Sequence, residues 1–368
     1  MIVPITMPRW GLTMTEGTVV EWHVQPGASV GAGQMLLDIE TTKITNTLEA
    51  AEAGVLRRHV AEVGQTLPCG ALIAVMAPPE TPDAEIDAYV GSFVITEVAD
   101  AGGAAEVEPK TAAVGDLTLN YLRAGAGAAV VFIHGFGGDL SGWALVQTPL
   151  ASAFDTIALD LPGHGKSSKR VPHADVAGLA GELAAFLDAI GVQRAHLVGH
   201  SLGGAVALAF ALAHPQRAAS LSLLAPAGLG REINAGYIRN FIRAERRKDV
   251  EANLRQLFCN PDLVNRALAE DVIRYKRLDG VRQSLEALEG AFLSGEQQAT
   301  VLRERLAEVQ APVLVIWGRE DRIVPPAQGQ GLPANVQVEW LERSGHMPQV
   351  EAADKVVALL KRHFAKAA

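Results

Sequence analysis

Cysteine is nearly absent: the chain of 368 residues has two, Cys69 and Cys259, far apart in sequence. That excludes a disulfide framework or a cysteine metal cluster and suits a reducing compartment. Cations are outnumbered, with 32 Lys and Arg against 41 Asp and Glu and a net charge of −9. This is the wrong sign for coating nucleic acid or an anionic membrane, so neither is an expected partner. Long hydrophobic runs are missing too, since the longest, Ala205 to Ala213, is too short to span a bilayer. The N-terminus, MIVPITMPRWGL, lacks the basic start, apolar stretch and small-residue cleavage site of a secretory signal. The expected address is the cytoplasm. Core-forming material is plentiful: 49% of residues are apolar, and the length falls between two domains and three.

An internal repeat at an offset of 37 residues organises the N-terminal part. It aligns Gly17 with Gly54, Gly27 with Gly64, Val30 with Leu67, Gly33 with Gly70 and Leu36 with Ile73. Each copy reads as short alternating strands broken by Gly and Pro turns, such as QPGASVGAGQ and EVGQTLPCGA. Two equal strand sets predict a quasi-symmetric small β-sandwich over residues 1–77. The segment joining them, Ile39-Glu40-Thr41-Thr42-Lys43-Ile44, is expected to be a hairpin with Lys43 at its exposed tip.

From residue 78 to 113 the composition turns to Pro, Gly, Ala and acids, the signature of a linker. Within it Ile86, Tyr89, Val90, Phe93 and Val94 keep helical spacing behind an Asp83 cap, predicting a short amphipathic helix that packs on its own domain or docks a partner subunit. From Val114 the rhythm changes to continuous Val/Ile/Leu runs (AAVVFIHGFGG, FDTIALDLPGHGKS, AHLVGHSLGG, SLSLLAPAG, APVLVIWGRED), as in strands buried on both faces. Helical patterns lie between them, with Leu179, Leu183, Phe186, Leu187 and Ile190 on one face. Alternating β and α predicts a mostly parallel sheet flanked by helices. Residues 231–310 interrupt the alternation with charged helical stretches, an insertion over one end of the sheet.

Gly199-His200-Ser201-Leu202-Gly203 follows an apolar strand and precedes the helical GGAVALAFALAH, the context of a nucleophile elbow. Ser201 is the candidate nucleophile, and small flanking residues suit the strained turn it needs. A serine hydroxyl needs a base, and the base an acid to fix its tautomer. Two acids, Glu320 and Asp321, follow the strand APVLVIWG. His346 follows VQVEWLE; of the ten histidines only it combines that order with a strand-end position. His164, His196, His200 and His214 read as structural. Acyl transfer also needs two N–H donors for an oxyanion. Leu202 supplies one, and the loop His134-Gly135-Phe136-Gly137-Gly138 supplies the other, most simply from Phe136. This loop lacks the Lys and Ser/Thr ending of a phosphate-binding P-loop.

These residues, with DLPGHGKS and the insertion as a cap domain, resemble the α/β-hydrolase family over residues 114–366. The resemblance implies a triad of Ser201, Asp321 and His346. The first module, through MPRWGLTMTEGTV, QPGASV and the IETTK hairpin, resembles the lipoyl (biotinyl-like) family, which implies lipoate in amide linkage to Lys43. Biotin carriers flank their lysine with Met, whereas Thr42 and Ile44 flank Lys43. The chain is thus expected to be multidomain: a small all-β lipoyl sandwich (1–77), a linker with a short helix (78–113) and an α/β-hydrolase fold (114–368) with a helical cap at about 231–310. Metal ligands are not expected.

The pairing of modules resembles the family of acyltransferase components of acetoin dehydrogenase complexes. That implies acetyl transfer from the Lys43 lipoyl arm to coenzyme A, beside a thiamine-diphosphate-dependent acetoin-cleaving component and dihydrolipoamide dehydrogenase, in a complex of homo-oligomers. The HxxxDG motif of trimer-forming acyltransferase domains is absent. Two other classes stay open: a lipoyl-tethered hydrolase of thioesters or C–C bonds, and a non-catalytic carrier. Arg243, Arg246, Arg247 and Lys248 in the cap read either as a solvated helix face or as contacts for the coenzyme's phosphates.

Overall fold

The glycines repeated every 37 residues hold equivalent backbone positions. In a computed structural model, which describes residues 2–8, 10, 14–41, 45–94 and 107–367, Gly27 and Gly64 have φ of +93° and +86°, and Gly33 and Gly70 have +76° and +85°. Each tight turn needs the left-handed backbone that glycine adopts without strain. The bonds repeat as well: Gly27 N–H donates to Leu56 O at 2.6 Å and Gly64 N–H to Val19 O at 2.7 Å.

The chain divides into two compact units, one of N-terminal strands with their helix and one of most of the remainder. The first has strands β1 (Val3–Thr6), β2 (Glu16–Trp22), β3 (Ser29–Val30), β4 (Met35–Glu40), β5 (Thr45–Glu49), β6 (Gly54–His59), β7 (Thr66–Pro68) and β8 (Leu72–Met76). They form two four-stranded sheets, β1-β8-β6-β3 and β5-β4-β2-β7. The repeat maps β2, β3 and β4 onto β6, β7 and β8, so one sheet order is the image of the other. Val19, Leu36, Leu37, Ile39, Leu56 and Ile73 are buried between them. Helix α1 (Asp83–Ser92) lays Ile86, Tyr89, Val90 and Phe93 on Leu72, Val75 and Ala77 of the same unit. Packing on its own sandwich is therefore what the helix does, and Val94 stays 74% exposed. Pro82, not Asp83, is the N-cap; the Asp83 carboxylate instead accepts from Arg57 at 2.8 Å.

The second unit is built on an eight-stranded sheet. Its strands β9 (Lys110–Val114), β10 (Leu117–Ala124), β11 (Ala129–Ile133), β12 (Asp155–Leu159), β13 (Ala195–His200) and β14 (Ala218–Leu224) are followed, after the two-residue strands β15 (Leu293–Ser294) and β16 (Gln297–Gln298), by β17 (Val313–Gly318) and β18 (Val336–Leu341). The order is β18-β17-β14-β13-β11-β12-β10-β9, with β10 antiparallel to both neighbours and the other pairs parallel. Strands β12, β13, β14 and β17 are buried along their whole length, which explains their unbroken apolar runs. Flanking helices are α2 (Ala144–Leu150), α3 (Val176–Ala189), α4 (Leu202–Ala213), α9 (Pro348–Glu351) and α10 (Ala353–Phe364). Leu179, Leu183, Phe186 and Leu187 of α3 are buried and Ile190 is half-buried.

The insertion carries α5 (Ala235–Arg243), α6 (Arg247–Leu254), α7 (Arg266–Lys276) and α8 (Val281–Phe292). Its two long charged stretches are each broken once. Ala244 ends α5, where Lys276 Nζ donates to its carbonyl, and Gly280 at φ +81° separates α7 from α8. Among the described residues no helix is long and apolar enough to cross a membrane.

Candidate active site

Ser201 sits between β13 and α4 at φ 53° and ψ −119°. A non-glycine residue holds such a backbone only when its surroundings over-determine it. Here the Ser201 N–H donates to Leu224 O at 3.0 Å, and its carbonyl accepts from Gly204 N at 2.9 Å and Ala227 N at 3.0 Å. The turn also demands glycine on both sides: a Cβ on Gly199 would lie 2.3 Å from Gly203 O, and one on Gly203 would lie 2.2 Å from Ile133 O. Ser201 is 6% exposed at the top of the buried sheet.

The loops after β17 and β18 bring an acid and an imidazole together. His346 Nδ1 donates to Asp321 Oδ2 at 2.8 Å, and the pair is buried, at 2% and 8% exposure. Asp321 is itself fixed: Oδ2 accepts from Trp317 Nε1 at 3.0 Å, and Oδ1 from the N–H of Ile323 at 2.8 Å and of Val324 at 3.0 Å. The bond to Asp321 holds His346 in the tautomer with its proton on Nδ1, leaving Nε2 free to accept. Glu320, the other acid after this strand, turns away and accepts from Ser344 N at 3.1 Å. Ser201 and His346 form no hydrogen bond to each other among the described residues; catalytic contacts of this kind tighten when substrate is bound.

The glycine-rich loop after β11 lies against Ser201, since a Cβ on Gly135 would fall 3.0 Å from Ser201 Cβ. The N–H groups of Phe136 and Leu202 have no acceptor among the described residues. Two unpaired donors beside a serine are what a developing oxyanion requires. A buried network that the sequence did not reveal holds this loop. His134 donates from Nδ1 to Gly135 O at 2.7 Å and accepts at Nε2 from Leu161 N at 3.0 Å. His164 accepts at Nε2 from Gly137 N at 3.1 Å. Burial pushes both imidazoles below the ordinary value, so they serve as neutral rings. Asp160 anchors the same layer, accepting from Leu140 N at 2.7 Å and Asn120 Nδ2 at 2.8 Å. Aspartate and histidine inside glycine-rich turns were the only sequence signal of it.

His200, Ser201's neighbour, donates from Nε2 to His346 O at 2.7 Å. His196 bonds Ser220 Oγ at 2.8 Å, and the ring of His214 lies 5.0 Å from that of Phe210. In the cap, Phe241 of α5 faces the loop, its ring 6.1 Å from that of Phe136. Of the basic run on α5 and α6, Arg246 pairs with Asp249 at 3.1 Å and Arg247 with Glu251 at 2.9 Å, each within or beside its own helix.

In the first unit, Lys43 lies outside the described residues, as do Thr42 and Ile44. The strands on either side are paired, with Glu40 opposite Thr45. Glu21, His23 and Asp38 bring three ligand-type atoms within 4.8 Å of one another, but His23 Nε2 already pairs with Asp38 Oδ1 at 3.0 Å and Thr47 Oγ1 donates to the same oxygen at 2.6 Å.

Comparison with known proteins matches residues 128–353 to the alpha/beta hydrolase fold family and residues 3–76 to the biotin-requiring enzyme domain. The dihydrolipoyllysine-residue acetyltransferase component of the acetoin cleaving system of Cupriavidus necator is 44% identical over 99% of this chain and 97% of its own length. The protein of the same description from Pseudomonas putida is 44% identical over 98% of each. The solved meta-cleavage product hydrolase from Pseudomonas fluorescens, 23% identical, overlays 71% of this chain and 99% of its own with a TM-score of 0.65, a likeness of fold. Matched along its full length and in both modules, the chain belongs to the family of dihydrolipoyllysine-residue acetyltransferase components of acetoin cleaving systems.

Proposed function

We propose that this protein passes acetyl from a dihydrolipoyl thioester to coenzyme A through Ser201, as part of an acetoin-cleaving system. Lipoate in amide linkage to Lys43 supplies a dithiol that carries acyl groups as thioesters. The first unit suits that group: β4 and β5 close with Glu40 opposite Thr45, and the only lysine of the joining segment offers a primary amine for the amide. Cys69 and Cys259 form no disulfide, which fits work in the cytoplasm.

His346 Nε2 takes the Ser201 proton as Oγ attacks the thioester carbonyl carbon. Asp321 steadies the imidazolium, and the N–H groups of Phe136 and Leu202 hold the oxyanion. The thiol leaves with that proton and the acetyl group remains on Oγ. Coenzyme A then gives its thiol proton to His346, attacks the ester and departs as acetyl-coenzyme A, restoring Ser201. The support for this sequence is the 2.8 Å bond from His346 Nδ1 to Asp321 Oδ2, at strand ends beside the Ser201 turn. The partners that fit are a thiamine-diphosphate-dependent component that loads the arm and a dihydrolipoamide dehydrogenase that reoxidises it, around a homo-oligomer of this chain.

The test is purified lipoylated protein given acetyl-dihydrolipoamide with and without coenzyme A. Acetyl-coenzyme A should form with the wild type and not with Ser201→Ala. Free acetate at one rate in both conditions would make water the acceptor and the protein a hydrolase. Undiminished transfer in Ser201→Ala would make the second unit a scaffold. Intact mass should show one lipoyl increment, lost in Lys43→Arg.

A further inference from the structure

A cavity of about 310 Å³ opens in the cap between the end of α5, α7 and the start of α8. Three cations line it, Lys276, Arg277 and Arg282, against one acid, Glu245, and its apolar wall includes Ile242 and Leu285. A local excess of two positive charges is notable in a chain of net charge −9, and it focuses attraction for anions at this one concavity. The cations are not consumed by the fold. Arg277 has no ion pair among the described residues. Arg282 touches Glu245 at 3.6 Å and Glu286 at 3.0 Å, with about half of each acid or more in solvent, so these are weak surface pairs. Lys276 spends one donor on Ala244 O and keeps two. Burial brings its ammonium down to about 8, Glu245 pulling it up and Arg282 down, so it is charged at neutral pH.

The cavity lies directly behind the reaction loop. Phe241 has its ring 5.7 Å from Lys276 Nζ on one side; on the other, its Cε1 is where a Cβ on Gly137 would come within 2.5 Å. One aromatic ring thus separates the cationic pocket from the backbone that supplies an oxyanion donor.

We propose that Lys276, Arg277 and Arg282 form the binding site for the phosphorylated adenosine end of coenzyme A, whose pantetheine arm then passes Phe241 to reach Ser201. This rests on the acyl-transfer reading above. Volume fits the division of labour: the cavity is at the small end of the range for ligand pockets, ~300–1,000 Å³, enough for the nucleotide head and not for the whole coenzyme. Guanidinium and ammonium groups are the donors that phosphates take up in charge-assisted bonds. Ile273, half-buried in the lining, offers apolar surface to the adenine. The site differs from the run at Arg246 and Arg247, which does not line the cavity and whose side chains lie in solvent with acids of α6 beside them.

Titration calorimetry on the full-length protein tests it with desulpho-coenzyme A, 3′-dephospho-desulpho-coenzyme A and adenosine 3′,5′-bisphosphate. The wild type should bind the bisphosphate saturably and should bind desulpho-coenzyme A about tenfold more tightly than its dephospho form, a difference of about 1.4 kcal/mol. Arg277→Glu and Arg282→Glu, both at exposed positions that leave the fold intact, and Lys276→Met should lose most of that preference. Absence of saturable bisphosphate binding, or an unchanged preference in all three variants, would overturn the site. Acetyl-coenzyme A formation is read separately. Transfer with an unchanged preference removes this site and leaves the acyl-transfer reading, whereas bisphosphate binding sensitive to the variants without transfer keeps an anion site and removes the acceptor.

Discussion

His200 donates its Nε2 proton to the main-chain oxygen of His346 across 2.7 Å, so the residue before Ser201 holds the loop that carries His346. The His200 ring is buried and lies 4.8 Å from the His346 ring. Burial foremost, and the neighbouring His346, push its pKa well below the ordinary value. It is thus a neutral positioning residue.

Replacing it with Phe would leave the carbonyl of His346 without its donor, at a cost of about 1–3 kcal/mol for an unpaired buried group. We expect kcat for acetyl transfer to fall by about tenfold or more in His200→Phe, with KM for acetyl-dihydrolipoamide moved much less, and partial rescue in His200→Gln, which restores an N–H. A Phe variant with wild-type kcat would refute the positioning role.

Asp321→Asn separates orientation from folding. An amide oxygen in place of Oδ1 still accepts from Ile323 and Val324, but its NH2 would then face two donors, Trp317 Nε1 and His346 Nδ1. His346 is driven to the other tautomer and loses Nε2 as an acceptor. Turnover should drop by about 10⁴-fold with an unchanged circular dichroism spectrum. A loss of under tenfold would move the acid role elsewhere, with Glu320 the next residue to test.

Buried imidazoles make the second unit acid-sensitive. Burial, with smaller contributions from His363 and Arg194, lowers His196 from 6.5 to about 4, and burial lowers His134, His164, His200 and His363 as well. Above pH 6.5 these rings are neutral in both folded and unfolded chains. Below it the unfolded chain binds protons that the folded chain refuses, so stability falls as pH drops from about 6.5 towards 4. Urea midpoints should be lower at pH 5 than at pH 7.5, and the gap should narrow in His196→Asn. A gap of the same size in that variant would remove His196 as a contributor.

Local sequence carried the strands and the elbow because each had a strong one-dimensional signature: unbroken apolar runs for β12, β13, β14 and β17, and glycines around Ser201 where an added Cβ would fall within 2.3 Å of backbone oxygens. The choice between Asp321 and Glu320 had no such signature. Both follow the same strand, and only the three-dimensional placement of the β18 loop sends one to His346 and the other to Ser344 N. The supporting layer of His134, Asp160 and His164 was equally illegible, since its bonds join loops 20 to 30 residues apart. The breaks in the cap helices escaped notice for a related reason: the first is set where Lys276, remote in sequence, takes the Ala244 carbonyl.

The repeat in the first unit makes a prediction that a single glycine could not. Gly27 and Gly64 both have left-handed backbone, and an added Cβ at either meets nothing within 4 Å, so substitution by Ala costs only backbone strain, about 1–2 kcal/mol. Gly17 and Gly54 are different: a Cβ on Gly17 would lie 2.8 Å from Ile39 Cγ2 and Met7 Sδ, and one on Gly54 would lie 2.8 Å from Met76 Cε. There the neighbours must move inside a packed core, costing typically 1–3 kcal/mol, with the flexible methionines yielding first. Hydrogen exchange read on β2, β4, β6 and β8 in the full-length protein should therefore rise equally for Gly27→Ala and Gly64→Ala. It should rise more for Gly17→Ala than for Gly54→Ala, because Ile39 is branched and fully buried whereas Met76 is not branched. Unequal effects within the Gly27/Gly64 pair would show that the two sheets, alike in strand order, are not alike in energy.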